Sequence, residues 1–293
     1  MEKILKESAS LKHYLLLTKP GIVLGNLLTA LGGFALASPS YFDFPLLIAM
    51  LEGLALVIAS ACIFNNYIDR SSDAKMARTK NRALARGIVP VRRAFFLGIA
   101  LLILGSFILY LGTNFLTMVI ALLGFFFYVV VYTLAKYQTS YGTLIGSISG
   151  SIPPVVGYAA SSGTVDLGAL ILFLIIAMWQ MPHFFAIAIY RLDDYTKASI
   201  PVFPRIRGLH KTKVHMLIYL MAFIGATSLL TLCGYTTPLF MIIMSLVGMM
   251  WLVLSLQGFK AKNNQLWARK MFIFSLIVVM TLSITIPYTV VSK

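Results

Sequence analysis

The chain has 293 residues, of which 59% are hydrophobic and only 11% charged. Soluble domains carry about a quarter charged residues, so this chain cannot cover a water-facing surface; a soluble enzyme, a disordered chain and a disulfide scaffold are all excluded. The net charge of +15 would point to nucleic acid in a soluble protein, but here its placement along the chain decides its meaning.

Apolar runs long enough to cross a bilayer, about 20 residues each, predict nine membrane-spanning helices, at roughly 20–38, 45–66, 93–112, 115–134, 141–160, 168–190, 213–233, 236–257 and 269–290. The basic residues alternate from side to side of this pattern. They precede the first span (Lys3, Lys6, Lys12, Lys19) and crowd the connection between spans two and three, from Arg70 to Arg93. They recur at Lys136, between Arg191 and Lys213, and between Lys260 and Lys270, so that 23 of the 24 fall on one side and Lys293 alone on the other. Cytoplasmic loops carry the excess of Lys and Arg. The expectation is an integral protein of a bacterial plasma (inner) membrane, N-terminus and basic loops inside and C-terminus outside, with no cleavable leader. The lipid bilayer is its partner and nucleic acid is not. Cys62 and Cys233 fall within predicted spans, where a thiol serves as a small packing residue.

Outward connections are short, whereas two inward ones, 67–92 and 191–212, are long and polar. They follow spans two and six, and they are where a membrane enzyme would handle a water-soluble group. Gly142, Gly146 and Gly150 give the fifth span a smooth face for close helix packing, and Pro153-Pro154 should kink or end it.

Span two ends in Asn65-Asn66-Tyr67-Ile68-Asp69-Arg70-Ser71-Ser72-Asp73. On a continued helix Asn65, Asp69 and Asp73 share one face over about 12 Å. Oxygen donors at that pitch suit a hard divalent cation such as Mg2+ bound together with phosphate oxygens; the alternative is a solvated helix end. Intramembrane acids are costly and rarely incidental, and the chain has only nine acidic residues. Arg78 and Arg82, one turn apart, form either a positive-inside signal, an anionic-lipid contact or a diphosphate clamp. Span six ends in Trp179-Gln180-Met181-Pro182-His183, then Tyr190-Arg191-Leu192-Asp193-Asp194. On one continuous helix His183, Ile187, Tyr190 and Asp194 would share a face, with Asp193 turned about 100° away into solvent. His183 is either functional or bonded to a neighbouring helix.

These motifs resemble the UbiA-type intramembrane prenyltransferases, a nine-helix family with Asp-rich motifs after helices two and six. Thr18-Lys19-Pro20-Gly21, Met76-Ala77-Arg78-Thr79, Tyr141-Gly142-Thr143 and Pro153-Pro154 add to the match, which runs from span one to the loop after span six. Asn66 stands where the family often has Asp, and Tyr190 where quinone-type members often do. The Trp-Gln-Met-Pro-His run is similar to the branch that prenylates haem. The resemblance implies an all-α bundle of nine transmembrane helices forming a single domain over 1–293. It implies a farnesyl diphosphate donor, haem B as acceptor, and Mg2+. Asp69, Asp73, Asp194 and Tyr190 would be catalytic, and Asn65 would join the three acids on the metal. Asn66, Tyr67, Arg70, Arg78, Arg82 and Arg191 would bind substrate, and His183 would contact haem. A haem A synthase or a terminal-oxidase assembly would follow downstream. Phe64, Tyr67, Tyr128 and Tyr132 are candidates to line a dry pocket around an allylic cation. Rival readings are the same chemistry on an aromatic quinone precursor, a secondary transporter, whose charges would lie at the bilayer midplane, and a non-catalytic haem-binding assembly protein.

Overall fold

The structure is a computed structural model that describes residues 9–38 and 42–291. Among these residues the chain forms α1 (Leu11–Leu17), α2 (Pro20–Leu36), α3 (Phe44–Asp73), α4 (Val91–Gly112), α5 (Phe115–Phe126), α6 (Thr133–Gln138), α7 (Gly142–Gly150) and α8 (Ile152–Ser162). Then follow α9 (Leu167–Tyr190), α10 (Leu192–Lys197), α11 (Phe203–Arg207), α12 (Leu209–Leu232), α13 (Pro238–Gln257) and α14 (Asn264–Thr289). A π-helical turn, Phe127–Tyr132, joins α5 to α6.

Seven helical stretches among the described residues are long and apolar enough to cross a membrane, or eight if α1 and α2, bent by 48°, make one span. The expected count of nine is not reached by that measure because the segment expected at 141–160 is broken at Ser151 into helices of nine and eleven residues. Pro153 and Pro154 cause the break, since proline fits only the first turn of a helix, where its missing N–H has no partner to lose. Pro20 likewise opens α2, and Lys19 before it is bent into the left-handed region with φ 51°. The amino-terminal residues 1–8 and the carboxy-terminal Lys293, on which part of the expected sidedness rests, lie outside the described residues.

Helices α2 and α8 meet backbone to backbone. A Cβ on Gly33 would sit 2.0 Å from the Pro154 carbonyl oxygen, and one on Gly157 1.9 Å from that of Ala30. The glycines at 142, 146 and 150 are pressed by the Lys136 backbone, the Tyr132 ring and the Gln180 amide, so this stripe serves packing. Helix α14 packs against both α9 and α2 and so closes the bundle. Phe34, Phe223, Phe240 and Trp251 are fully buried, while Ile103, Leu111 and Leu246 stand outside it, exposed, the distribution a lipid-facing surface requires.

Helix α3 matters most for the site. Its 30 residues span about 45 Å, against about 30 Å of hydrocarbon, so its last turns project beyond the apolar layer. It continues well past the expected end near residue 66, and Asn65, Asp69 and Asp73 are all buried along it.

Candidate active site

A cavity of about 690 Å³ opens between α2, α3, the π-helical turn, α7, α9 and α14. Its charged lining is confined to the end where α3 projects: four cations (Lys19, Arg78, Arg82, Lys136) against two carboxylates (Asp69, Asp73). The remainder is largely apolar and aromatic.

Each carboxylate is held by several donors. Asp69 accepts from Lys136 Nζ, from Tyr137 Oη at 2.8 Å and from Asn65 Nδ2 at 2.9 Å. Lys19 Nζ in turn donates to Asn65 Oδ1 at 2.6 Å. Asp73 is paired with Arg82 Nη1 at 2.7 Å, and its backbone carbonyl accepts from Thr79 Oγ1, which folds the basic segment back over the end of α3. The second inward segment reaches the first through Asp194, whose Oδ1 accepts the Ala77 N–H at 3.2 Å. Tyr195, beside it, lines the cavity. Burial pushes its phenol above the usual range, against the opposing pull of Arg78, so it is a neutral hydroxyl donor at working pH.

Several expected residues lie off the cavity. Asn66 Nδ2 donates to the Leu17 carbonyl, tying α3 to α1. Arg70 bonds to the Tyr67 carbonyl and lies 5.0 Å over the Tyr67 ring. Arg191 lies 4.4 Å over the Tyr190 ring. Helix α9 stops at Tyr190, and Arg191 (φ −112°) turns the chain into α10. The single face expected for His183, Ile187, Tyr190 and Asp194 is therefore interrupted: the first two line the cavity and the last two do not. Phe64 and Tyr67 pack on Phe95, whereas Tyr128 and Tyr132 stack with centroids 5.6 Å apart on the cavity wall. Both rings sit on the π-helical turn. Its extra residue per turn offsets the register, and such bulges recur at functional sites. Asp193 is exposed and accepts from Gln265.

Lys19, Lys136, Tyr137 and Tyr195 are site residues that sequence reasoning passed over. Lys136 had one visible signal, as the sole basic residue between spans four and five, and Lys19 had its place in Thr-Lys-Pro-Gly. At the opposite wall Trp179, Gln180 and His183 face the cavity. Gln180 Nε2 is spent on Ser147, Ser151 and Ile176. The His183 ring stacks on Trp179 at 4.7 Å, and its Nδ1 lies 2.6 Å from Ser275 Oγ.

Among the described residues no three His, Cys, Asp or Glu side chains converge as a ready-made metal cage. The donor set nevertheless fits Mg2+. Asp69, Asp73 and the Asn65 carbonyl are hard oxygen donors along one helix face, and Mg2+ usually takes one or two protein carboxylates and completes its shell with phosphate and water.

The chain belongs to the UbiA prenyltransferase family, whose profile matches residues 26–277, and it is a prenyl-transferring enzyme embedded in a membrane. Within the family it is 50% identical to the protoheme IX farnesyltransferase of Protochlamydia amoebophila over 96% of this chain and 100% of that one. It is also 50% identical to that of Yersinia enterocolitica, over 94% and 93%. The fold is shared with a solved digeranylgeranylglyceryl phosphate synthase, with TM-score 0.77 and 17% identity over 95% of this chain and 99% of that one. A UbiA homolog from Archaeoglobus fulgidus bound to GPP and Mg2+ matches with TM-score 0.67 and 15% identity, over 94% and 99%.

Proposed function

We propose that this chain transfers the farnesyl group of farnesyl diphosphate to a vinyl group of haem B, with addition of water, giving haem O and diphosphate. The observation that carries this reading is a cavity with two chemically distinct parts, a cation-rich end around Asp69 and Asp73 and an aromatic wall at Trp179 and His183, in a chain half identical to protoheme IX farnesyltransferases.

At the charged end, Asp69 and Asp73, with the Asn65 side-chain carbonyl, would hold Mg2+ on the diphosphate, whereas Asp194, expected to join them, lies off the cavity on the Ala77 amide and ties the two inward segments together. A metal held by these residues would supply charge neutralisation for the departing diphosphate. Lys19, Arg78, Arg82 and Lys136 supply fixed positive charge around the same group, which stabilises it as it leaves without needing a proton. Lys136 and Arg82 pair with Asp69 and Asp73, so the same cations that hold the two carboxylates in place would stand beside a diphosphate bound there.

The C1–O bond of the prenyl chain breaks with its electron pair going to the diphosphate. Tyr128 and Tyr132 present π faces to the allylic cation, and the apolar lining excludes water from it. The vinyl terminus of haem bonds to C1, and the positive charge that moves beside the pyrrole is captured by water, which loses a proton. Both substrates enter from the bilayer, in a bacterial inner membrane, with the charged end facing the cytoplasm. The product would pass to a haem A synthase or to terminal-oxidase assembly.

Purified protein incubated with haem B, farnesyl diphosphate and Mg2+, followed by mass analysis of extracted haem, should give a mass gain of farnesyl plus water that disappears with chelator. Unchanged haem, with an aromatic acid prenylated when offered instead, would move the function to quinone synthesis.

A further inference from the structure

His183 projects from the middle of α9 into a cage of rings, with Trp179 at 4.7 Å, Phe184 at 5.1 Å and Phe272 at 5.2 Å. These contacts hold the plane of the imidazole. Its proton is positioned by Ser275. The Ser275 hydroxyl lies 2.5 Å from the Phe272 carbonyl oxygen and 2.6 Å from His183 Nδ1. A carbonyl can only accept and a hydroxyl has one proton, so the serine proton goes to Phe272. The short contact to His183 then requires that Nδ1 carry the ring proton and donate it to Oγ. The opposite assignment would set two oxygen lone pairs against each other at 2.5 Å. Trp179 Nε1 donates to the Ser275 carbonyl at 2.9 Å, locking the serine to the residue that stacks on the histidine.

With Nδ1 protonated, Nε2 is a bare lone pair. No side chain or backbone group among the described residues bonds to it, and His183 lines the cavity. A lone pair cannot donate to a propionate carboxylate, but it suits a metal centre, and metal-binding histidines characteristically donate their other N–H to a neighbouring acceptor. We propose that His183 Nε2 is an axial ligand to the iron of the haem acceptor, and that Ser275 is the positioning residue that fixes its tautomer. The proposal rests on the haem reading of the function.

The test is optical and electron paramagnetic resonance titration of the purified protein with ferric haem B, which reads iron ligation apart from turnover. Wild type should show a histidine-ligated spectrum. His183→Ala should lose it, free imidazole should restore it, and farnesyl diphosphate binding should persist as the check on folding; His183→Gln serves if the alanine variant does not fold. Ser275→Ala should weaken haem affinity by about tenfold or more, with a mixed spectrum, and Ser275→Thr, which keeps the hydroxyl, should restore it. A haem spectrum identical in wild type and His183→Ala overturns the ligand assignment and leaves the haem reading standing. Failure of the wild type to bind haem at all, while it binds farnesyl diphosphate, overturns the haem reading and the ligand together.

Discussion

Asp69 illustrates how one carboxylate can be fixed by donors from separate elements. Lys136, Tyr137 and Asn65 all donate to it, and both members of its ion pair are nearly buried, with side chains 11% and 12% exposed. Removing one partner of such a pair strands the other charge. Asp69→Asn should therefore cost about 3 kcal/mol of stability as well as reducing turnover by about 100-fold through loss of the metal contact. Adding Lys136→Met should recover most of the stability and none of the activity. Thermal unfolding and product formation measured on the two single variants and the double variant check both parts. If Asp69→Asn kept near-normal turnover at limiting Mg2+, the metal assignment would be wrong. At this scale the sequence was informative about residue type and uninformative about pairing. Asn65, Asp69 and Asp73 could be put on one face by spacing, but their partners Lys19 and Lys136 lie 46 and 67 residues away. Arg70, adjacent in sequence to Asp69, turns away to stack on Tyr67.

Among the elements, α2 and α8 are packed backbone to backbone beside the cavity. Their backbones touch at Gly33 and Gly157, and in both cases the obstructing atom is a carbonyl oxygen with no rotamer to change. Gly157→Ala should destabilise the protein by about 1–3 kcal/mol, visible as a lower unfolding temperature. Gly25→Ala, on the same helix pair but in open space, should not. The π-helical turn at Phe127–Tyr132 has a different consequence. It carries the stacked rings of Tyr128 and Tyr132 on the cavity wall, and Tyr132→Leu would remove that stack. Prenyl transfer should fall while diphosphate binding, which depends on α3 and its basic partners, persists; equilibrium binding measured beside turnover distinguishes the two. Hydrophobic pattern could place a helix here but not its bulge, because inserting one residue into a uniformly apolar run leaves the pattern unchanged. The end of α9 falls at Tyr190, where the apolar run was expected to stop, but the change of direction after it had no signal: no glycine or proline marks Arg191, and α10 beyond it carries Asp194 to the Ala77 amide.

For the whole molecule, the proposed orientation puts the basic connections, and with them the cavity's charged end, in the cytoplasm. In a Cys233→Ala background, Lys80→Cys in the basic segment should resist a membrane-impermeant maleimide in intact cells and react after permeabilisation. Thr164→Cys, exposed between α8 and α9, should react without it. The reverse pattern would invert the topology and place the diphosphate site outside, where no cytoplasmic prenyl diphosphate could reach it. Composition alone determined that this is a membrane-embedded helical protein, since 11% charged residues cannot solvate a surface of this size. The distribution of Lys and Arg set the sidedness expected of it, and helical period put Asn65, Asp69 and Asp73 on one face. Those are local properties, repeated every few residues. Convergence is different, because it depends on how separate helices cross. Only the tertiary structure brought Lys19 from α2's start and Lys136 from α6 to the end of α3, moved Arg70, Tyr190 and Arg191 off the cavity, and set Ser275 of α14 against His183 of α9, since no period within one helix encodes where another will pass.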